Sequence, residues 1–204
     1  MQRIVRVSTL MFIAVLTGAA PAAAQSAPPN EIVISEFRVR GPVGGNDEFV
    51  ELRNRSAAPV EILGWRLQGC QQASPGTPAT RVTVGSDVFL PAGGSYLFAN
   101  NGYSGSVTPD QTYGTGITDF LSGNFAGVRI VDASSADGVV RDGAGSPNSP
   151  CREGSGMTTP ASPLNGDYSF ERRLSGTMDT NDNVPDFEGP KPGHPQNSGG
   201  NTTG

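Results

Sequence analysis

The sequence has one histidine, two cysteines, one tryptophan and only 16% charged residues. Each shortage removes a class of chemistry. The histidine, His194, stands between Gly193 and Pro195 with no neighbouring group to orient it, so a Ser-His-acid triad is not expected. Zinc sites of the usual kind need several Cys or His ligands, more than this chain supplies. The glycine-rich stretch 41–45 lacks the Gly-Lys-Ser/Thr ending of a phosphate cradle and reads as a turn. With net charge −5 and no basic cluster longer than Arg172-Arg173, nucleic-acid binding through a general basic surface is disfavoured.

What is present begins with a leader. Arg3 and Arg6 precede an apolar run over 7–20 that ends in Ala22-Ala23-Ala24. The run is broken by Ser8, Thr9 and Thr17 and is shorter than the ~20 residues a spanning helix needs. Residues 1–24 are therefore expected to be a signal peptide, with a secreted or periplasmic mature protein starting at Gln25. No later stretch is apolar enough to form a membrane span. Loss of Arg3 and Arg6 makes the mature chain more acidic still. One domain is expected over 25–197, with a disordered tail at 198–204. In an exported chain Cys70 and Cys151 are expected to form a disulfide, closing a loop of about 80 residues and stabilising the fold by roughly 4 kcal/mol in the chain-entropy account. The alternative is two free or intermolecular thiols.

The 28 glycines and 17 prolines punctuate the chain without a repeat period and leave no room for long helices. Between them lie short β-branched or aromatic runs at 32–39, 48–53, 60–67, 82–90, 96–99, 127–132, 138–141 and 168–172. That spacing predicts an all-β sandwich or barrel. Alternation over 48–53 is expected to put Phe49 and, after a local irregularity, Leu52 on one buried face. Trp65 and Leu67 are expected to fill the core beside Phe49. The stretches 71–80 and 143–164, rich in Gly, Pro, Ser and Thr, read as long loops beside the cysteines. From Ser175 onward apolar residues thin out.

Several segments, in order, resemble bacterial lamin tail domains. Ile34-Ser35-Glu36-Phe37, Glu48-Phe49-Val50-Glu51-Leu52-Arg53-Asn54-Arg55-Ser56 and Val60-Glu61-Ile62-Leu63-Gly64-Trp65-Arg66-Leu67 look like the opening strands of that family. Leu90-Pro91-Ala92-Gly93-Gly94-Ser95-Tyr96-Leu97 looks like its turn, and residues 127–132 and 138–142 like its late hairpin. Ser169-Phe170-Glu171-Arg172, residues 179–183, Asp186-Phe187, Pro192-Gly193 and Asn197 resemble the closing segment of exported bacterial members. The resemblance implies an all-β, immunoglobulin-like β-sandwich with long loops. It also implies a non-enzymatic binding or structural module, whose partner would be an unidentified protein or an envelope or surface component.

Two other functions have candidate residues. Asp47, Glu48 and Glu51 could meet the acidic closing segment as acid and base of a small extracellular hydrolase. A DNA-binding accessory domain, by analogy with lamin tails, is the third possibility. No cofactor is required, although calcium has a candidate site. Asp179-x-Asn181-x-Asn183 has the alternate-oxygen spacing of a calcium loop, but Val184 and Pro190 stand where glycine and the bidentate glutamate belong. An irregular calcium site from Asp179, Asp182 and Asp186 would raise the melting temperature in millimolar calcium. The plainer alternative is that these residues cap turns.

Overall fold

The computed structural model describes residues 31–70, 78–85, 87–117, 127–158 and 165–200. The expected signal peptide, 71–77 and 159–164 of the two loops, and 201–204 of the expected tail lie outside the described residues.

Among the described residues twelve strands follow one another: β1 (Ile32–Arg38), β2 (Phe49–Asn54), β3 (Val60–Glu61), β4 (Arg66–Cys70), β5 (Ala79–Thr83), β6 (Phe89–Leu90), β7 (Ser95–Asn100), β8 (Gln111–Tyr113), β9 (Gly127–Val131), β10 (Val140–Gly145), β11 (Ser169–Arg172) and β12 (Phe187–Lys191). They form a six-stranded sheet in the order β12-β11-β1-β2-β7-β8, a four-stranded sheet β10-β9-β4-β5, and a small β3-β6 pair. Among the described strands only the β7–β8 pairing is parallel. The core holds Phe37, Val50, Leu52 and Phe98 with Leu67, Val128 and Ile130, all fully buried, and Trp65 joins them. Each such side chain contributes roughly 1.5–3 kcal/mol on burial.

The 60–67 run is not one strand. Trp65 N–H donates to the Ile62 carbonyl at 3.1 Å across a turn in which Gly64 takes φ 75°. That left-handed step costs glycine little and lets Val60–Glu61 and Arg66–Cys70 serve different sheets. The run at 82–90 divides likewise between β5 and β6.

Phe49 is buried, but in a different place from the one its sequence suggested. β2 pairs with β7 without interruption, so Phe49 and Leu52 face opposite sides. Leu52 enters the core, whereas Phe49 joins Leu97, Ala99 and Val107 in a second cluster on the outer face. The irregularity lies in β1, between Ile34 and Glu36.

The stretch after residue 143 is also more ordered than a loop. β10 continues through Gly145, and a Cβ on Gly143 would collide with the Cys151 carbonyl oxygen. Glycine here admits the close approach of the 149–151 segment. The closing segment adds β12 as a sixth strand. Of the expected disordered tail, Ser198 is held by Asp110, its N–H donating at 2.9 Å and its hydroxyl at 2.5 Å.

Candidate functional site

Direct cross-strand pairing sets Glu188 opposite Glu171, Glu171 opposite Glu36, and Glu36 opposite Glu51. Opposed residues share a face, so four glutamates form a row across β12, β11, β1 and β2 on the outer side of the large sheet. Like charges in this register repel, and each glutamate is compensated differently. Lys191, the only lysine in the chain, lies 2.5 Å from Glu171 and 2.6 Å from Glu188. Glu51 accepts from the Ser35 hydroxyl at 2.6 Å, the Ser95 hydroxyl at 3.1 Å and the Gln196 N–H at 2.6 Å. Glu36 accepts through Oε1 from the Ser169 hydroxyl at 2.5 Å and the His194 N–H at 2.9 Å. Burial pushes Glu36 up to about 7, against these bonds and with help from Glu51 and Glu171, and burial also raises Glu51.

Residues 193–198 thus form a strap across the outer face, seated by main-chain N–H groups on Glu36, Glu51 and Asp110. Beside the strap runs a left-handed turn. Leu174 and Ser175 both adopt φ 55°, followed by Gly176 at 78°. For non-glycine residues this costs roughly 1–2 kcal/mol each. Thr177 and Met178 N–H groups hold the turn by donating to the Arg173 carbonyl at 3.2 and 3.0 Å. Strap and turn enclose a cleft of about 270 Å3 lined by Ser35, Glu36, Glu51, Arg53, Glu171 and Gln196, among others.

A second acidic cluster lies on the inner side. Arg172, wholly buried, donates to Asp142 at 2.6 and 2.8 Å, to Asp186 at 3.3 Å, and to the Ile34 and Met178 carbonyls at 2.8 Å each. Its guanidinium stands 4.5 Å from the Phe187 ring centroid. Asp179 pairs with Arg55 at 3.0 Å and lies 3.7 Å from Arg172. Burial, with the adjacent Asp142 carboxylate, pushes Glu153 up to about 9, and burial raises Asp142 as well, so the pair shares a proton at neutral pH.

The three aspartates considered for calcium are separated by this arrangement. Asp179 and Asp186 serve Arg172, while Asp182 caps the helical turn Asn183–Asp186, accepting from Val184 N–H at 3.2 Å and Ser155 N–H at 3.0 Å. Among the described residues, the oxygen set close enough to hold a metal is instead Asp142, Glu153 and Asp179, mutually within 4.8 Å. Only Asp179 belongs to both sets, and Arg172 already supplies a positive charge beside it.

The carboxylates weighed for hydrolysis also part company. Asp47 binds Arg38 and accepts from Ser104, and although burial opposes ionisation these bonds hold its carboxyl below the usual range. Glu48, pushed up to about 8 by burial, accepts from Ile117 N–H at 2.8 Å and the Tyr113 hydroxyl at 3.3 Å. Glu51 lies under the strap. Cys70 and Cys151 are bonded, their Cα atoms 5.8 Å apart, as expected for the only possible pairing.

With this geometry in place, the comparisons decide the family. The family model of the lamin tail domain matches residues 25–143. The chain belongs to the lamin tail domain family. No curated protein matches it. The two packed sheets are the immunoglobulin-like sandwich of lamin tail domains, and the match ends inside β10. β11, β12, the left-handed turn and the strap follow it, so Glu36 and Glu51 come from the matched part and their covering from beyond it. Sequence reading missed the glutamate row because it depends on register across four strands. Arg172 gave no signal beyond being buried in the short β11 motif.

Proposed function

We propose that this lamin tail domain is an exported, non-enzymatic binding or structural module, acting on a protein or surface component of the cell envelope or its surroundings. The observation that carries the reading is the condition of its carboxylates. Asp47, Glu48 and Glu51, the residues best suited to acid–base work, are each buried and bonded to groups that hold the fold. A general base needs a lone pair within reach of substrate, and Glu48 Oε1, which no described group bonds, is buried out of reach. Export is supported by the leader pattern of residues 1–24 and by the Cys70–Cys151 bond, which suits an oxidising compartment. Two experiments test the proposal. N-terminal sequencing of the mature protein should begin at Gln25, and a panel of glycosidase, esterase and phosphatase substrates should show no turnover. Turnover abolished by Asp47→Asn or Glu48→Gln would replace the module with a hydrolase. A DNA probe shifted at low salt and released by salt would favour the accessory reading instead.

A further inference from the structure

We propose that the two clefts flanking Tyr103 bind a chain of neutral sugar residues, with one ring in each cleft and Tyr103 as the platform between them. The inference rests on the binding-module reading and gives that module a ligand class.

The site is built by the connection from β7 to β8. Residues 101–110 close over the second apolar cluster, against which Tyr103 packs. On one side of Tyr103 lies a cleft of about 320 Å3, and on the other a cleft of about 220 Å3. Tyr103, Gly105 and Ser106 line both, so the two share a wall. The larger reaches the lower end of the roughly 300–1,000 Å3 typical of ligand pockets, and the smaller extends it.

The platform is fixed before any ligand arrives. The Tyr103 ring meets Phe49 edge-on at 5.9 Å and has the Arg38 guanidinium 5.4 Å from its centroid. Arg38 is itself held by Asp47 and, at 2.6 Å, by Asp167. The loop is tied along its length. Gly102 N–H donates to Asn100 Oδ1 at 3.0 Å, Ser104 N–H to Asp47 at 2.9 Å, and the Asn197 amide of the strap to the Thr108 carbonyl at 2.9 Å. An aromatic ring already held in place loses little freedom on binding, which leaves more of its contact energy as affinity.

The lining defines the ligand class. The larger cleft has no carboxylate and no basic group along it. Its polar side chains include Asn101, Ser106, Thr108 and Thr112, whose amide and hydroxyls bond no described group and can each donate and accept. A charged ligand finds no counter-charge there, and an apolar one would strand these groups. A sugar ring meets both conditions, since its hydroxyls donate and accept around the rim while its C–H face lies on an aromatic surface. The smaller cleft adds Asp167, half-exposed and oriented by Arg38, as an acceptor for hydroxyls of the second ring. A peptide is the less suitable occupant. Extended peptides are held by main-chain groups of a sheet edge, whereas the groups offered here are side chains set around a ring-sized space.

The test is calorimetric titration of the full chain with cellotetraose, tetra-N-acetylchitotetraose and mannotetraose, with their monosaccharides and tetraglycine as controls. The expected result is saturable one-to-one binding of at least one tetrasaccharide. Raising the salt should change its affinity less than about twofold, because the ligand carries no charge to screen. Affinity should fall at least about tenfold in Tyr103→Ala, which removes the platform. It should fall about threefold to tenfold in Thr112→Val, which keeps the side-chain shape and removes one hydroxyl. Thr112 is exposed, so this second variant decides if Tyr103→Ala does not fold. No binding of any tetrasaccharide at about 10 mM, affinity unchanged in Thr112→Val, or tetraglycine bound as tightly would overturn the sugar site. A monosaccharide bound as tightly as its tetramer would overturn the use of both clefts. Hydrolysis of a bound tetrasaccharide would sink the non-enzymatic reading and leave the groove standing, so the module and its ligand fail separately.

Discussion

Glu171 and Arg172 are neighbours in β11 and point to opposite faces, each into a different acidic region. The contrast shows two ways of tolerating clustered carboxylates. On the inner side Arg172 is enclosed by Asp142, Asp179 and Asp186, its guanidinium donors engaged and its face against Phe187. On the outer side no described residue forms an ion pair with Glu36, and main-chain amides of the strap and nearby hydroxyls bond Glu36 and Glu51. A guanidinium in a dry interior neutralises charge permanently. Amides bond a carboxylate without neutralising it, so burial favours its protonated form.

The largest expected effect comes from breaking the inner cluster. Arg172→Leu leaves Asp142 and Asp186 buried without their counter-charge and should cost about 3–5 kcal/mol in urea unfolding, enough to abolish folding in a marginal domain. Glu51→Gln on the outer face should cost about 1 kcal/mol, because its partners are neutral donors. Equal costs would erase the distinction between the two regions. Removing the disulfide with paired Cys70→Ser and Cys151→Ser should cost about 2–4 kcal/mol, since it anchors the segment carrying Glu153 to the end of β4. If melting curves with and without reductant coincide, Glu153 is held by other means.

A pH scan separates the regions further. Both Glu36, at about 7, and Glu153, at about 9, lie above the ordinary glutamate value of 4.5. Their stabilising contributions are complete below about pH 4.5 and are lost as pH rises, the outer one by about 7 and the inner one by about 9. Glu36→Gln should reduce the decline between 4.5 and 7 and Glu153→Gln the decline up to 9, with Glu48, at about 8, supplying a further part that neither variant removes. A melting temperature level across that range would refute both assignments. Smaller still, Asp182→Ala should cost about 1 kcal/mol by uncapping the turn at Asn183. Millimolar calcium or chelator is expected to leave the melting temperature unchanged, because Arg172 and Arg55 already occupy the oxygens of Asp142, Asp179 and Asp186. A rise abolished by Asp179→Asn would place a metal there instead.

Much of the frame was legible in residue order. The β-branched runs and the Pro91-Ala92-Gly93-Gly94 turn each describe local backbone, which neighbours in sequence dictate. The same reading went astray at Phe49, because which face of β2 is interior depends on pairing with β7. It also passed over β8 and β12, three and five residues without clear periodicity that become strands through their partners. The three closing aspartates looked like one site because they are close in sequence, yet a long buried arginine from β11 collects two of them and a helical turn uses the third.

By itself, then, the sequence determined an all-β chain, a single possible disulfide and a composition poor in histidine and basic clusters, since these follow from residue type and local propensity. Tertiary structure alone decided which carboxylates stand together. A cross-strand row and a buried ion pair join Glu36 to Glu171 and Asp142 to Arg172, residues distant in the chain, and only the register of the sheets brings such residues within bonding distance.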